Sequence, residues 1–113
     1  MNITLFTAAL QDFLNKRKQE LGYTYFDHYE VFATEGPKYF KVYQREVRTG
    51  DMPVRDGSKV HSSVHSFVDK TTGDIFKPAS FNAPAKHARG NVNSAQNGME
   101  AICEQGCVKY LRN

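Results

Sequence analysis

Lys86, His87 and Arg89 fall within a span of four residues, with Gly90 and Asn91 directly after them and Phe81 and Asn82 shortly before. Two permanent cations and an imidazole at this spacing can surround one or two phosphates, and Gly90 lets backbone N–H groups come close to an anion. Phe81 offers a face on which a base can stack, and Asn82 or Asn91 can pair with a base edge or a ribose. This inventory suits binding without catalysis. The plain alternative is a solvent-exposed loop fixed by Pro78 and Pro84, with Phe81 plugging the core.

The other chemistry-bearing residues are better explained by structure. Cys103 and Cys107 are four apart and could join His65 or His87 at a zinc ion, but there is no second pair at ligand spacing, and small buried thiols account for them. Asp51, Asp56, Asp69 and Asp74 all fall in turn sequences, where side chain-to-backbone bonds use them. His61 and His65 share a strand face and could mark a metal or phosphate contact, or simply an exposed sheet surface. No glycine elbow, Cys–His signature or phosphate-cradling glycine loop is present. The expectation is therefore no catalytic residue, no metal and no cofactor.

These residues must be held by the surrounding elements. Phe6, Ala9, Leu10, Phe13, Leu14, Arg17 and Leu21 recur at helical spacing, with Asn2 or Thr4 to cap and Gly22 to stop. Residues 23–33 and 39–48 are aromatic and β-branched, and predict two strands around a turn at 34–38. In the second, Phe40, Val42 and Gln44 face one way, and Tyr39, Lys41, Tyr43, Arg45 and Val47 the other. The latter face alternates aromatic and cationic groups, a pattern that stacks bases and holds phosphates, or a half-exposed surface of rings and basic stems covering one another.

Residues 49–58 read as a long connection carrying Arg55. A strand follows, with Val60, Ser62, Val64, Ser66 and Val68 on one face. Asp69 to Asp74 is turn chemistry, and Ile75-Phe76-Lys77 returns as the partner strand. Ser94 caps a second helix through Ala95, Met99, Ile102 and Cys103, and residues 107–112 form a last short strand. The fold class is α+β: an N-terminal helix, a four- to five-stranded mainly antiparallel sheet and a second short helix near the C-terminus.

Composition bounds the rest. The 113 residues make one ligand-binding domain, residues 1–113, with 40% hydrophobic and 24% charged residues, ordinary for a globular chain. A net charge of +3 allows an anionic partner without demanding long nucleic acid. No stretch spans a membrane, residues 1–14 lack an export pattern, and both cysteines are expected reduced in a cytosol. Phe26, Phe32, Phe40 and Tyr43 exceed the aromatic surface that two helices can cover, which predicts self-association.

The run SFVDKTTGDIFKPASFNAPAKHARGNV, residues 66–92, about a quarter of the chain, resembles a segment of the first type of Thoeris anti-defence proteins. These are viral sponges that sequester cyclic ADP-ribose signals. The resemblance implies a protein of bacterial viruses, acting in the host cytoplasm, that binds a small anionic cyclic nucleotide without turnover. It assigns the base-stacking aromatic to Phe81, the asparagine ten positions on to Asn91, and a phosphate-binding arginine to Arg112. His28 stands near where the family carries an earlier arginine, a departure that bears on ligand identity. It further implies a homo-oligomer, a dimer or hexamer, with sites at subunit interfaces, and separate sites for cyclic di- or trinucleotides in some members. The runner-up is a phage accessory protein that binds single-stranded nucleic acid through Tyr39, Tyr43, Phe81 and the basic residues.

Overall fold

The computed structural model describes residues 3–24, 26–47 and 62–109. In chain order come α1 (Ile3–Leu21), β1 (His28–Glu35), β2 (Tyr39–Val47), β3 (Ser62–Asp69), β4 (Asp74–Phe76), β5 (Pro78–Ser80), β6 (Ala83–Pro84), β7 (Gly90–Asn91) and a 3-10 turn at Met99–Ala101. Five strands form one antiparallel sheet in the order β1-β2-β3-β4-β7, and β5 and β6 form a separate hairpin. This is the α+β fold that the sequence predicts. The connection at 49–58, Arg55, His61 and Arg112 lie outside the described residues.

The helix forms where the spacing placed it. Phe6, Leu10 and Leu14 recur every four residues and are buried, so they lie on one stripe against the sheet. Leu21 has the same angular position but remains 47% exposed. The helix also closes the outer edge of β1. Asn15 Oδ1 accepts the Tyr29 N–H at 2.6 Å and its Nδ2 donates to the Tyr29 carbonyl at 3.0 Å, while Gln11 Oε1 accepts the Val31 N–H at 2.9 Å. Side-chain amides thus stand in for a missing neighbour strand, which stops another chain from pairing there.

The core lies between α1 and one sheet face: Phe6, Leu10, Leu14, Val31, Val42, Val68, Ile75 and Val92, with Ala101, Ile102 and Val108 from the C-terminal segment. Phe40 packs against it and Phe26 is fully buried, so two of the four aromatics expected to need a partner are satisfied within the chain. In β2 the faces divide as the alternation predicts. In β3 they do not. Val42 pairs with Ser66 but Tyr43 pairs with Val64, leaving His65 as an extra residue. The shift turns Val64 to the opposite face from Ser66 and Val68, which the alternation had grouped together.

The predicted second helix shrinks to one 3-10 turn. Asn97 and Gly98 adopt positive φ, 55° and 90°, which an α-helix through this segment does not permit. The predicted last strand, in its described part, is a single antiparallel bridge between Ile102 and Val108. The first strand starts at His28 rather than residue 23, after a bend at Phe26 and Asp27.

Candidate functional site

The sheet face turned away from α1 carries an aromatic cluster built by strand alternation. Tyr39, Lys41 and Tyr43 of β2 pair with Asp69, Phe67 and Val64 of β3, and Phe32 of β1 pairs with Tyr43. Phe32 and Tyr43 stack at 5.1 Å with planes 9° apart. Tyr39 meets Phe67 and Phe76 edge-on, each at 6.0 Å.

The β5–β6 hairpin brings the remaining ring. Ser80 pairs with Ala83, so Phe81 and Asn82 form a two-residue tip, and Pro78 sits opposite Pro84, where neither has a backbone donor to lose. Phe81 meets Tyr43 edge-on at 6.2 Å. The Lys41 ammonium lies 3.6 Å from the Phe81 centroid, 5.7 Å from that of Tyr43 and 5.9 Å from that of Phe67. Its Nζ also donates to Asn82 Oδ1 at 3.3 Å. Lys41 is therefore a cation held among three rings at fixed distances. The two glutamates of β1 are engaged elsewhere, Glu35 with Lys70 at 2.7 Å and Glu30 with Arg45. Among the described residues, no carboxylate forms an ion pair with Lys41.

Beside this cluster lies a cavity of about 260 Å³, lined by Glu35 at the end of β1, by the β1–β2 turn with Lys38 and by Tyr39, Lys41, Phe67 and Asn82. Lys38 lies 5.4 Å from the Tyr39 ring, so a second cation borders the same space. Phe81 is 59% exposed, which overturns the core-plug alternative and leaves ring surface open beside the cavity.

The other residues singled out in the sequence are spent differently. Arg89 Nη1 donates to the carbonyls of Lys86, at 2.6 Å, and of His87, at 2.5 Å, so the guanidinium holds its own loop together. Lys86 and His87 are exposed, and His87 has φ 71°. Gly90 does permit a close approach to an anion, but the anion is the chain's own: a Cβ there would lie 2.8 Å from Glu100 Oε2, which accepts the Asn91 N–H at 2.9 Å. Burial opposes the charge on Glu100, yet the bonds from Ser94 and Asn91 outweigh it and hold its pKa below the usual carboxylate value. Asn91 Nδ2 donates to the Thr72 carbonyl at 2.9 Å and to Asp74 Oδ1 at 3.0 Å, and its Oδ1 accepts the Asn93 N–H at 2.8 Å. It locks the β4–β7 edge, while Phe81 packs on β2. Within one chain these two residues serve different places.

Asp69 is the turn acid expected of it, accepting the N–H groups of Thr71 and Thr72 at 2.7 and 3.0 Å. Among the described residues no group of three or more His, Cys, Asp or Glu could hold a metal. His65 is 6% exposed and its Nε2 contacts the Gly106 carbonyl at 2.7 Å, which requires that nitrogen to carry the proton. Its Nδ1 lies 3.1 Å from Ser66 Oγ. Burial pushes its pKa below the ordinary histidine value, the Gly106 bond pulls the other way, and Lys77 adds to the fall. A pKa lowered by folding means that the unfolded chain takes up the proton first. The stability contributed by neutral His65 is present above about pH 6.5 and declines as the pH falls below it. Melting curves against pH should show this decline in the wild type and a flatter profile in His65→Gln. Identical slopes would remove His65 as the cause.

The Lys41 cluster was only half visible in the sequence. The alternation of β2 gave Tyr39, Lys41 and Tyr43 a common face; nothing local placed Phe67, Phe81 and Asn82 on it.

Fold and face together define an α+β protein whose sheet carries an aromatic and cationic surface. The chain belongs to DUF7717, a family of unknown function, which matches residues 1–110. No curated protein and no solved structure matches it.

Proposed function

We propose that this protein binds a small anionic cyclic nucleotide, of the cyclic ADP-ribose class, and holds it unchanged as a viral anti-defence sponge. The observation that carries the reading is Lys41, fixed among Phe67, Tyr43 and Phe81 beside a cavity bordered by Lys38. Rings stack on a base, the ammonium groups meet phosphates, and Asn82 supplies an amide for a base edge or ribose. The cavity, about 260 Å³, falls just below the size of small-molecule sites, which run from roughly 300 to 1,000 Å³. It would take one base with its sugar, the rest of the ligand lying across Phe81. A sponge acts by mass and affinity, so it requires no acid, base or nucleophile. Lys86 and His87, exposed on the loop after Phe81, belong to this reading as further phosphate contacts, and Arg112 as the residue that completes the site from a neighbouring subunit; Arg89 and Asn91 are held by their own chain and leave it.

The test is to incubate the protein with lysate containing the signal, heat it, and analyse what is released. Intact cyclic nucleotide supports the sponge; a cleaved product overturns it in favour of an enzyme. Tight binding to random oligonucleotides that weakens steeply with salt, with no cyclic nucleotide retained, would instead establish the single-strand reading.

Phe81→Ala should cost roughly 1–3 kcal/mol of ligand affinity, the scale of base–aromatic stacking. Because the ring is 59% exposed, the melting temperature should hardly move. A clear loss of stability with unchanged affinity per folded molecule would end its stacking role.

Assembly is part of the proposal. Asn15 and Gln11 already occupy the β1 edge at Tyr29 and Val31, and self-association in this reading uses the aromatic face. Light scattering should report a dimer or hexamer. A monomer that retains full affinity would refute the shared site.

A further inference from the structure

The two cysteines meet on the far side of the core from the aromatic face's chemistry. The Cys103 N–H donates to the Cys107 carbonyl at 2.9 Å and the Gly106 N–H to the Cys103 carbonyl at 2.9 Å, closing a tight turn. One step outward, Ile102 and Val108 form an antiparallel bridge, backed by the Lys109 N–H donating to the Ala101 carbonyl at 2.8 Å. The two Sγ atoms stand 3.1 Å apart, about 1 Å longer than a covalent disulfide.

This proximity is imposed from outside the pair. Ile102 and Val108 are both core residues. Gly106, at φ +93°, fits against Leu14 so closely that a Cβ would lie 2.6 Å from its Cδ2, and its carbonyl takes the His65 contact. The turn is therefore gripped by α1 and β3, and the thiols cannot drift apart without disturbing the core. Both cysteines are only partly buried, so a small reagent can reach them.

We propose that Cys103 and Cys107 form a site of reversible disulfide closure, driven by thiol–disulfide exchange with a low-molecular-weight disulfide such as oxidised glutathione. Cys103 is the attacking thiol. Burial works against its thiolate, but bonds from the Cys107 thiol and from the Gln105, Cys107 and Gly106 backbone outweigh this and lower its pKa. Cys107 is raised, first because its proton is shared with Cys103 and then by burial. The Cys103 thiolate attacks one sulfur of the oxidised glutathione, forming a mixed disulfide and releasing one glutathione thiolate. The Cys107 sulfur then attacks Cys103 Sγ, the mixed disulfide breaks, and a second glutathione leaves. Two electrons pass from the protein dithiol to the glutathione disulfide, and the two thiol protons end on the two glutathiones.

The experiment equilibrates the full chain in buffers of fixed reduced-to-oxidised glutathione ratio. Each sample is quenched in acid, its remaining thiols are alkylated, and the intact mass is measured. The expected product is a chain lighter by two hydrogen atoms with no alkylation and no glutathione. The closure constant should be about tenfold or more larger for the native chain than for the same chain in denaturant, a difference of roughly 30 mV in potential. Equal constants in the two states, two persisting glutathione adducts, or a single adduct that never resolves would each overturn the site. These readings come from the wild type, so they stand even if a cysteine variant fails to fold. Cys107→Ser, if folded, should stop at one glutathione on Cys103.

Discussion

Gly98→Ala is expected to destabilise the protein by roughly 2–5 kcal/mol, a large share of the 5–15 kcal/mol typical of a domain. Two costs add. Gly98 has φ +90°, where a Cβ brings strain of about 1–2 kcal/mol. The new methyl would also lie 2.6 Å from Ile75 Cδ1 and 2.9 Å from Phe6 Cδ1, two fully buried side chains with nowhere to move. Overpacking of this kind costs a further ~1–3 kcal/mol. Gly22→Ala separates the two terms: its φ is +71°, but nothing lies within 4 Å of the added atom. It should cost only the strain. Urea unfolding, with unchanged m-values, measures both. Equal losses at the two positions would mean that the contact of Gly98 with Phe6 and Ile75 adds nothing.

Lys41→Met should weaken ligand binding by about 2 kcal/mol, roughly thirtyfold in Kd, while leaving the fold intact. Methionine preserves the hydrophobic stem that lies along Phe67, Tyr43 and Phe81 and removes only the ammonium. The effect therefore isolates a charge-assisted contact to a phosphate. Lys41→Arg should retain most of the affinity, since a guanidinium can also lie over the rings. The residual binding of Lys41→Met should depend less on salt than that of the wild type, because one cation has left the site. Calorimetric titration with a cyclic ADP-ribose isomer at two salt concentrations reads all three quantities. Unchanged affinity in Lys41→Met would move the site away from the aromatic face.

Local spacing alone determined the helix α1, the two faces of β2 and the turn at Asp69. Phe6, Leu10 and Leu14 recur every four residues, so a helix buries them whatever it packs on. The alternation of β2 placed Val42 in the core and Tyr39, Lys41 and Tyr43 opposite, because side chains on a pleated strand change face at every residue. Asp69 followed by Thr71 and Thr72 specified its own turn. Contacts between residues far apart in the chain were decided only by the tertiary structure. One extra residue at His65 reversed the faces of β3, since register depends on the partner strand as much as on the sequence. Asn91 looked free to bind a ligand and instead holds Thr72 and Asp74. Gly90 admits the carboxylate of Glu100, and the 3-10 turn replaces a helix where Gly98 must fit between Phe6 and Ile75. Phe81 and Lys41, forty residues apart, meet because the β5–β6 hairpin folds over β3, and no local pattern encodes that fold-back.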